Sequence, residues 1–539
     1  MYAIDFDNTN NRHLGKMLQL QAQHNGDTEF LITDEQRISF ADAEQLANRL
    51  ASGFAAQGIE RGDRVVFFMA NLPEMVLMAL ALNKLGAIWI PICTDYKGEW
   101  LADTIKRSRG KMLITDSEHI DKLAQVIDQL DPQGYVVLDP KNTTTIIPNA
   151  VAYNDLLAEH PYQPDYDSMD YGDTCAILWT SGTTGRSKGV MQSHNCWVRC
   201  ILLGQSLQHK TRTGDIAYCA LPLYNSGAWL TCVIRALAQG IGVVIEKKFS
   251  VNNFMARIKH FNATQTFAVG AMGVFLMNQP ERDDDADNPL REAGIVPMAP
   301  DMWPKFEKRF GLEILTVGIG MSECLLMLNQ MHSDVKVPVY SLGFAVPDVE
   351  IMLCDDEGNE VPAGEAGEIC VKPLAPHILL NGYFDDEVAT ANAYRGEWFL
   401  TGDMARKDPE NGAHYFVDRK KDVVRFAGRN ISTLEVESVA NRHPAIEQVA
   451  AFGIASELLD SEDELKLNIV LAQGQTLSAE EVCQFLNDNA PHYFVPRYID
   501  FVDALPYTPT NKVEKYKLRQ QGISEQTWDL KTSSYQVSK

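Results

Sequence analysis

The chain has 539 residues, more than one hydrophobic core serves, so two or more domains are expected. Its composition, 45% hydrophobic and 22% charged, is that of a water-soluble globular protein, and its formal net charge of −24 argues against a nucleic-acid or anionic-membrane partner. Ten cysteines lie scattered with no CxxC pair, which speaks against a zinc site or a disulfide framework and gives the expectation of a cytoplasmic protein with reduced thiols.

In chain order, the opening MYAIDFDNTN carries no basic-then-apolar secretion signal. Ala43, Leu46, Ala47, Leu50, Ala51 and Phe54 share one helical stripe, with Ser39 and Asp42 placed to cap its start and Gly58 and Gly62 to break it. Val65 to Met69 reads as a strand, Pro73 starts a helix, and a second strand lies around Trp89 to Ile92. This alternation predicts parallel α/β layers. The longest apolar run, Met75 to Leu82, stops at Asn83 and Lys84 and is too short to span a bilayer. A loop rich in Asn, Thr, Pro and Asp is expected from Asp139 to Asp170. Farther on, Ile241 to Ile245 and Thr266 to Val269 read as buried strands flanking a helix from Asn252 to Phe261. The acidic stretch Glu281 to Asp287 reads as solvated surface. A helix from Trp303 to Phe310 should end at Gly311, and Ile314 to Val317 should be a strand. From Val349 short strands and turns predominate. The charged run DRKKD, Asp418 to Asp422, is the best linker candidate, and the residues after it suffice for a small α+β domain.

Five stretches carry chemistry. The first, TSGTTGRSKG from Thr180 to Gly189, follows the apolar run Ala176 to Trp179. Its glycines allow a tight loop whose N–H groups point at one anion; its hydroxyls add donors and Lys188 a mobile positive charge. It is not the common triphosphate loop, because Ser187, five positions after Gly182, stands where that pattern has its second glycine. A plain Ser/Gly surface loop is the competing account. GIGMSE, Gly318 to Glu323, follows a strand, where ligands of open α/β sheets bind, and Glu323 could hold magnesium beside phosphates. FLTGDMA, Phe399 to Ala405, puts Asp403 after a strand and a Thr-Gly turn, a placement that suits ribose hydroxyls. In DRKKDVVRFAGRNIS, Asp418 to Ser432, Arg419 could reach ribose or phosphate; a solvated linker explains the charge equally well. Last, LPYTPTNKVEKYKLR, Leu505 to Arg519, presents Lys512 after two stiffening prolines, yet nothing local separates it from Lys515 and Lys517.

Taken together, in this order and spacing, the five stretches resemble the adenylate-forming superfamily of acyl-CoA synthetases, peptide-synthetase adenylation domains and beetle luciferases, over roughly residues 10 to 520. Within it the chain looks most like bacterial acyl-CoA ligases, and the closing KYKLRQQGISEQTWDL is similar to the tail of crotonobetaine/carnitine–CoA ligases. The resemblance implies an α/β fold class: a large N-terminal domain of α/β layers with a small β-barrel-like subdomain over residues 1–418, a hinge at 419–422, and a small mobile α+β C-terminal lid over 423–539. It implies ATP, Mg²⁺ and CoA as cofactor and co-substrates, a small-molecule carboxylic acid as partner, no nucleic acid and no membrane span; it is compatible with a homodimer. Thr180, Ser181, Gly182, Thr183, Thr184, Gly185 and Lys188 match the loop that closes over the ATP phosphates, and Gly318, Ile319, Gly320, Met321 and Ser322 match the adenosine side. Thr184 and Glu323 match the residues associated with magnesium. Asp403 matches the ribose aspartate with Arg419 beside it, and Lys512 the lysine that forms the acyl-adenylate. Lys421 falls at the hinge, Gly428 near the pantetheine tunnel, and Tyr224, Asn225, Ser226, Gly227 and Trp229 about the acyl pocket. Core packing accounts for Trp229 equally well.

The implied reaction is attack of a carboxylate on the α-phosphate, giving acyl-AMP and pyrophosphate, followed by transfer to the CoA thiol. Four positions depart from the usual pattern: Ile319 replaces an aromatic ring, Asn225 a histidine, Ser187 a proline and Asn511 a glycine. None removes a charged catalytic group. Two other readings stand beside the ligase: an adenylating enzyme that loads a separate carrier protein, and an inactive nucleotide-binding sensor. A luciferase-like oxygenase has no sequence feature that demands it.

Overall fold

The computed structural model describes residues 3–138, 147, 150–180, 187–205, 211–296, 298, 300, 302–315, 318–330, 338, 340–420, 422–426, 429–456, 463–490, 492–507 and 512–537. Among the described residues the chain forms two compact units. The first comprises Met1–Thr180, Ser187–Glu350 and Pro373–Asn392, and the second Ile351–Lys372 and Ala393–Lys539.

Two seven-stranded sheets form the frame of the first unit. One runs Glu313–Leu315, Glu292–Val296, Gln265–Val269, Ile216–Cys219, Gly242–Ile245, Glu29–Ile32, Arg37–Ser39, parallel throughout except for its last edge strand. The other runs Val151–Ala152, Gly134–Leu138, Met112–Asp116, Arg64–Phe68, Ile88–Pro91, Thr174–Thr180, Lys188–Ser193, again with one antiparallel edge. Parallel strands covered on both faces require continuous apolar runs, and Gly242–Ile245 and Arg64–Phe68 supply them. Pro73 opens the helix Pro73–Lys84, of whose residues only Glu74 is not buried, so the longest apolar run is a core helix. The helix Phe40–Ala56 starts as expected, with the Ser39 hydroxyl accepting from the Asp42 N–H. Residues 139–170, expected as loop, contain the strand Val151–Ala152 and the helix Tyr153–Leu156: pairing with Gly134–Leu138 and burial of Leu156 order them. The acidic stretch 281–287 is also not all solvated, since Asp285 is buried and accepts from Arg309 at 2.7 Å.

The second unit holds a five-stranded antiparallel sheet in which the long strand Trp398–Lys407 pairs with Ala366–Pro373, Tyr394–Arg395 and His414–Arg419. Farther along, a four-stranded sheet runs Ile446–Ala455, Asp463–Leu471, Tyr498–Phe501, Trp528–Asp529. The helices Thr433–Ala440 and Ala479–Asn489 bury Val436, Val482 and Leu486 in one core with Ile469 and Ile499 from that sheet. The tail after residue 520 is thus part of the fold: Trp528 donates to Glu480, and Leu530, Tyr535 and Val537 pack on this core.

The sequence reading places a hinge at 419–422, and packing groups 351–372 and 393–418 with the C-terminal residues. Asp418 lies within that unit. It is 1% exposed, not a solvated linker charge, and its Oδ2 accepts from the Thr433 N–H at 2.6 Å, the Thr433 hydroxyl at 2.7 Å and the Leu434 N–H at 3.3 Å. A carboxylate so placed caps the N-terminus of the helix Thr433–Ala440 and opposes its dipole. Lys421, the expected hinge, lies outside the described residues. Cys354 and Cys370, on neighbouring strands, form a disulfide, which departs from the expectation of reduced thiols; the other eight cysteines are free and buried. No helix among the described residues is long and apolar enough to cross a membrane.

Candidate active site

In the first unit, TSGTTG joins the antiparallel strands Thr174–Thr180 and Lys188–Ser193. Ser181, Gly182, Thr183, Thr184 and Gly185 lie outside the described residues, but both ends of the loop are fixed. Thr180 pairs with Lys188 across the ladder, and its hydroxyl donates to the Lys188 carbonyl at 3.3 Å. Ser187, standing for the usual proline, is buried, and Arg107 donates to its carbonyl at 2.8 Å while lying over the Trp179 ring. Lys188 is half-buried, with its ammonium 4.6 Å from the centre of the Tyr383 ring.

GIGMSE follows the strand Glu313–Leu315 in the chain, as expected; Ile319–Met321 is itself a strand, antiparallel to Cys324–Asn329, and Ser322 and Glu323 make the turn. The glycines have a steric cause: a Cβ on Gly318 would come within 1.6 Å of the Leu328 carbonyl oxygen, and one on Gly320 within 2.1 Å of the Leu325 oxygen. A backbone approaches a facing carbonyl so closely only where its own residue carries no side chain. Gln192, fully buried in the Lys188–Ser193 strand, donates to the Ser322 carbonyl at 2.8 Å and ties the hairpin to that strand. Glu323 is 7% exposed, and its Oε1 accepts from the Tyr383 hydroxyl at 2.9 Å. Among the described residues no group of three or more His, Cys, Asp or Glu side chains forms a metal cage. One buried carboxylate nevertheless fits magnesium, which takes one or two protein carboxylates and completes its shell with phosphate and water oxygens.

In the second unit, Asp403 and Arg419 are direct cross-strand partners, and the guanidinium Nε lies 2.8 Å from the carboxylate. Asp403 does not follow the end of a strand, as expected. Trp398–Lys407 is continuous, and Gly402, at φ +71°, kinks it. The kink is held from both sides, because Glu368 accepts the Gly402 N–H at 2.9 Å and the Lys420 ammonium at 2.7 Å. Asp403 itself is 2% exposed, whereas the Arg419 side chain is about two-fifths open. The three neighbouring lysines now separate. Lys515 is engaged by the Thr433 hydroxyl at 2.6 Å and by Glu437 at 2.9 Å, and Lys517 pairs with Glu514. Lys512 lies in the field of Arg419 and Asp403. Surrounding protein lowers its pKa, Arg419 lowers it further, and Asp403 opposes the shift. Gly428 and Asn511 lie outside the described residues.

About the expected acyl pocket, Tyr224, Asn225, Ser226 and Gly227 are half-buried. Burial and the neighbouring Cys93 thiol raise the Tyr224 pKa, so its hydroxyl stays protonated. Asn225 precedes a helix that changes to the wider π form over Trp229–Ile234, a distortion frequent at functional sites. The Ser226 and Ser322 hydroxyl oxygens are 3.4 Å apart, so this turn and the GIGMSE hairpin are in contact. Trp229 takes the packing role: it is 2% exposed, packs tilted against Trp89 with ring centres 4.2 Å apart and donates to the Leu223 carbonyl at 2.6 Å.

Tyr383 and Gln192 escaped the sequence reading. Neither stands in a run of chemically distinctive residues; the only local signal at Tyr383 is the Asn-Gly turn before it.

The chain belongs to the AMP-binding enzyme family, whose profile matches residues 18–384, and the profile of its C-terminal domain matches residues 435–512. It is an ATP-dependent, AMP-forming acyl-CoA ligase by class, using ATP, Mg²⁺ and CoA. It is 29% identical to the crotonobetaine/carnitine–CoA ligase of Citrobacter koseri, over 90% of this chain and 93% of that protein. To the corresponding ligase of Salmonella paratyphi C it is 30% identical, with the same coverage. Among solved structures, an anthranilate–CoA ligase with bound anthranoyl-AMP shares the fold with a TM-score of 0.82 at 23% identity, covering 95% of this chain and 97% of that one. ATP-bound MatB from Rhodopseudomonas palustris gives 0.80 at 24%, covering 95% and 98%.

Proposed function

We propose that the chain activates a small or medium polar carboxylic acid, of the carnitine or crotonobetaine type, as its acyl-adenylate and passes the acyl group to CoA. In this reading the acid's carboxylate oxygen attacks the α-phosphorus of ATP and the bond to the bridging oxygen breaks. Acyl-AMP forms and pyrophosphate leaves. Lys188 and the Thr180–Gly185 loop take the phosphates, and Asp403 accepts from the ribose hydroxyls with Arg419 holding its orientation. Magnesium, held at Glu323 and Thr184, would neutralise charge on the leaving pyrophosphate. Lys512 donates to the oxygens on which negative charge grows, an electrostatic role that counts most where water is excluded. In the second half-reaction the CoA sulfur attacks the acyl carbon and AMP departs with the bonding pair. The lid turns at Lys421 between the two steps, exchanging Lys512 for the segment around Gly428.

The observation that carries the reading is the buried Asp403 carboxylate, held 2.8 Å from the Arg419 guanidinium on the facing strand, with Lys512 in the field of both groups. For the acyl side, the packing of Trp229 against Trp89 leaves Tyr224 and Asn225 as the polar groups at the turn, which favours a polar acid over a long alkyl chain. The test is pyrophosphate release with a panel of carboxylic acids that includes carnitine and crotonobetaine. Lys512→Ala should abolish acid-dependent release, and undiminished release would overturn the assignment. Thioester formation with CoA, and none with a carrier protein's pantetheine arm, is the expected outcome of the second step.

A further inference from the structure

Tyr383 touches both charged groups of the phosphate side. Its hydroxyl donates to Glu323 Oε1 at 2.9 Å, and its ring centre lies 4.6 Å from the Lys188 ammonium. The residue is 7% exposed, and its backbone is fastened to the strand that carries Lys188. The Asn381 N–H donates to the Met191 carbonyl at 2.8 Å, the Met191 N–H to the Gly382 carbonyl at 3.0 Å, and the Phe384 N–H to the Gly189 carbonyl at 2.7 Å. The same segment reaches the glutamate's backbone, where the Leu380 N–H donates to the Glu323 carbonyl at 2.8 Å. The Tyr383 N–H donates to the Thr390 hydroxyl, which fixes the ring's own base.

Such a ring does two separable things. A phenol donating to a carboxylate makes a charge-assisted bond, which fixes the carboxylate's rotation and lowers the cost of holding it in a site for a cation. The ring face attracts the ammonium without neutralising it, so the lysine is held near its working position while its charge stays available to phosphate. We infer that Tyr383 is a positioning residue that couples Lys188 to Glu323, so that the triphosphate and its magnesium are engaged together. This rests on the nucleotide reading above.

Two variants separate the hydroxyl from the ring, with ATP binding measured by calorimetry on the full chain in EDTA and in excess Mg²⁺. Wild-type chain should bind ATP more tightly with Mg²⁺ than in EDTA. Tyr383→Phe keeps the ring and loses the bond to Glu323; the gain from Mg²⁺ should fall on the order of 10-fold, with affinity in EDTA unchanged. Tyr383→Leu also loses the ring and should weaken binding in EDTA by about 5-fold as well. A tyrosine that merely fills space would lower both affinities together in both variants, or neither, and either pattern would overturn the proposal. If wild-type chain binds MgATP and Tyr383→Phe retains the full Mg²⁺ gain, this inference fails while the nucleotide reading stands. If wild-type chain binds no ATP under either condition, both fail. Thermal melting of each variant identifies a loss of binding that comes from unfolding.

Discussion

Asp418→Ala offers the sharpest test of how the second unit is built. The substitution leaves the Thr433 N–H and hydroxyl without their acceptor at a residue that is 0% exposed, and also removes the longer bond from the Leu434 N–H. A lost helix cap costs about 1–2 kcal/mol, and each buried donor left unpaired costs roughly 1–3 kcal/mol. The Ser432 hydroxyl, which caps the same helix at Glu435 but also donates to the Val417 carbonyl at 2.6 Å, offsets part of this. A net loss of about 3 kcal/mol follows, which raises the local opening equilibrium on the order of 10²-fold. Hydrogen exchange resolves this directly: the amides of Thr433–Ala440 should exchange about a hundred times faster in Asp418→Ala. Asp418→Asn, which keeps one acceptor oxygen and loses the charge, should fall between. Unchanged protection of that helix in Asp418→Ala would refute the capping argument.

Two further outcomes follow. Gly318→Ala forces a methyl carbon onto the Leu328 carbonyl 1.6 Å away, so the Ile319–Met321 hairpin must open; ATP affinity should drop by at least about 10-fold with a melting temperature lowered by several degrees, and an unaffected variant would show that the hairpin tolerates the group. His13, buried against His194 with ring centres 3.7 Å apart, has its pKa lowered to about 3 by burial first and by Lys84, Lys16 and Arg61 next, and burial lowers that of His194 as well. The unfolded imidazole protonates near 6.5, so its neutrality in the fold contributes fully above that pH and is lost as pH falls from 6.5 toward 3. Unfolding free energies from urea titrations between pH 4 and 6 should therefore decline less steeply with falling pH in His13→Phe, by about 1.4 kcal/mol per pH unit, and parallel curves would refute the assignment.

Much of this protein is written in short stretches, and those were legible. Alternating apolar runs and helix-period stripes mark parallel α/β layers because a strand buried on both faces must be apolar along its length. The helix start at Ser39, the proline start at Pro73 and the glycine stop at Gly311 depend on backbone chemistry within one turn. The five motifs, each contiguous in the chain, together carried the resemblance that implied the reaction class. Where the sequence misled, a partner far along the chain decided: Asp418 looked like linker charge because Thr433, which buries it, is fifteen residues on.

TSGTTG, Glu323, Asp403 and Lys512, taken together in their order and spacing, carried the resemblance that implies handling of nucleotide phosphates, although each alone has a plain structural account. Only the tertiary structure decided why Gly318 and Gly320 must be glycine and that Tyr383 touches Lys188 and Glu323 together. The physical reason is that such contacts leave no period or spacing in the chain: Tyr383 stands far along the sequence from both Glu323 and Lys188, and the two glycines meet the facing strand of their own hairpin, whose close approach only the folded backbone sets.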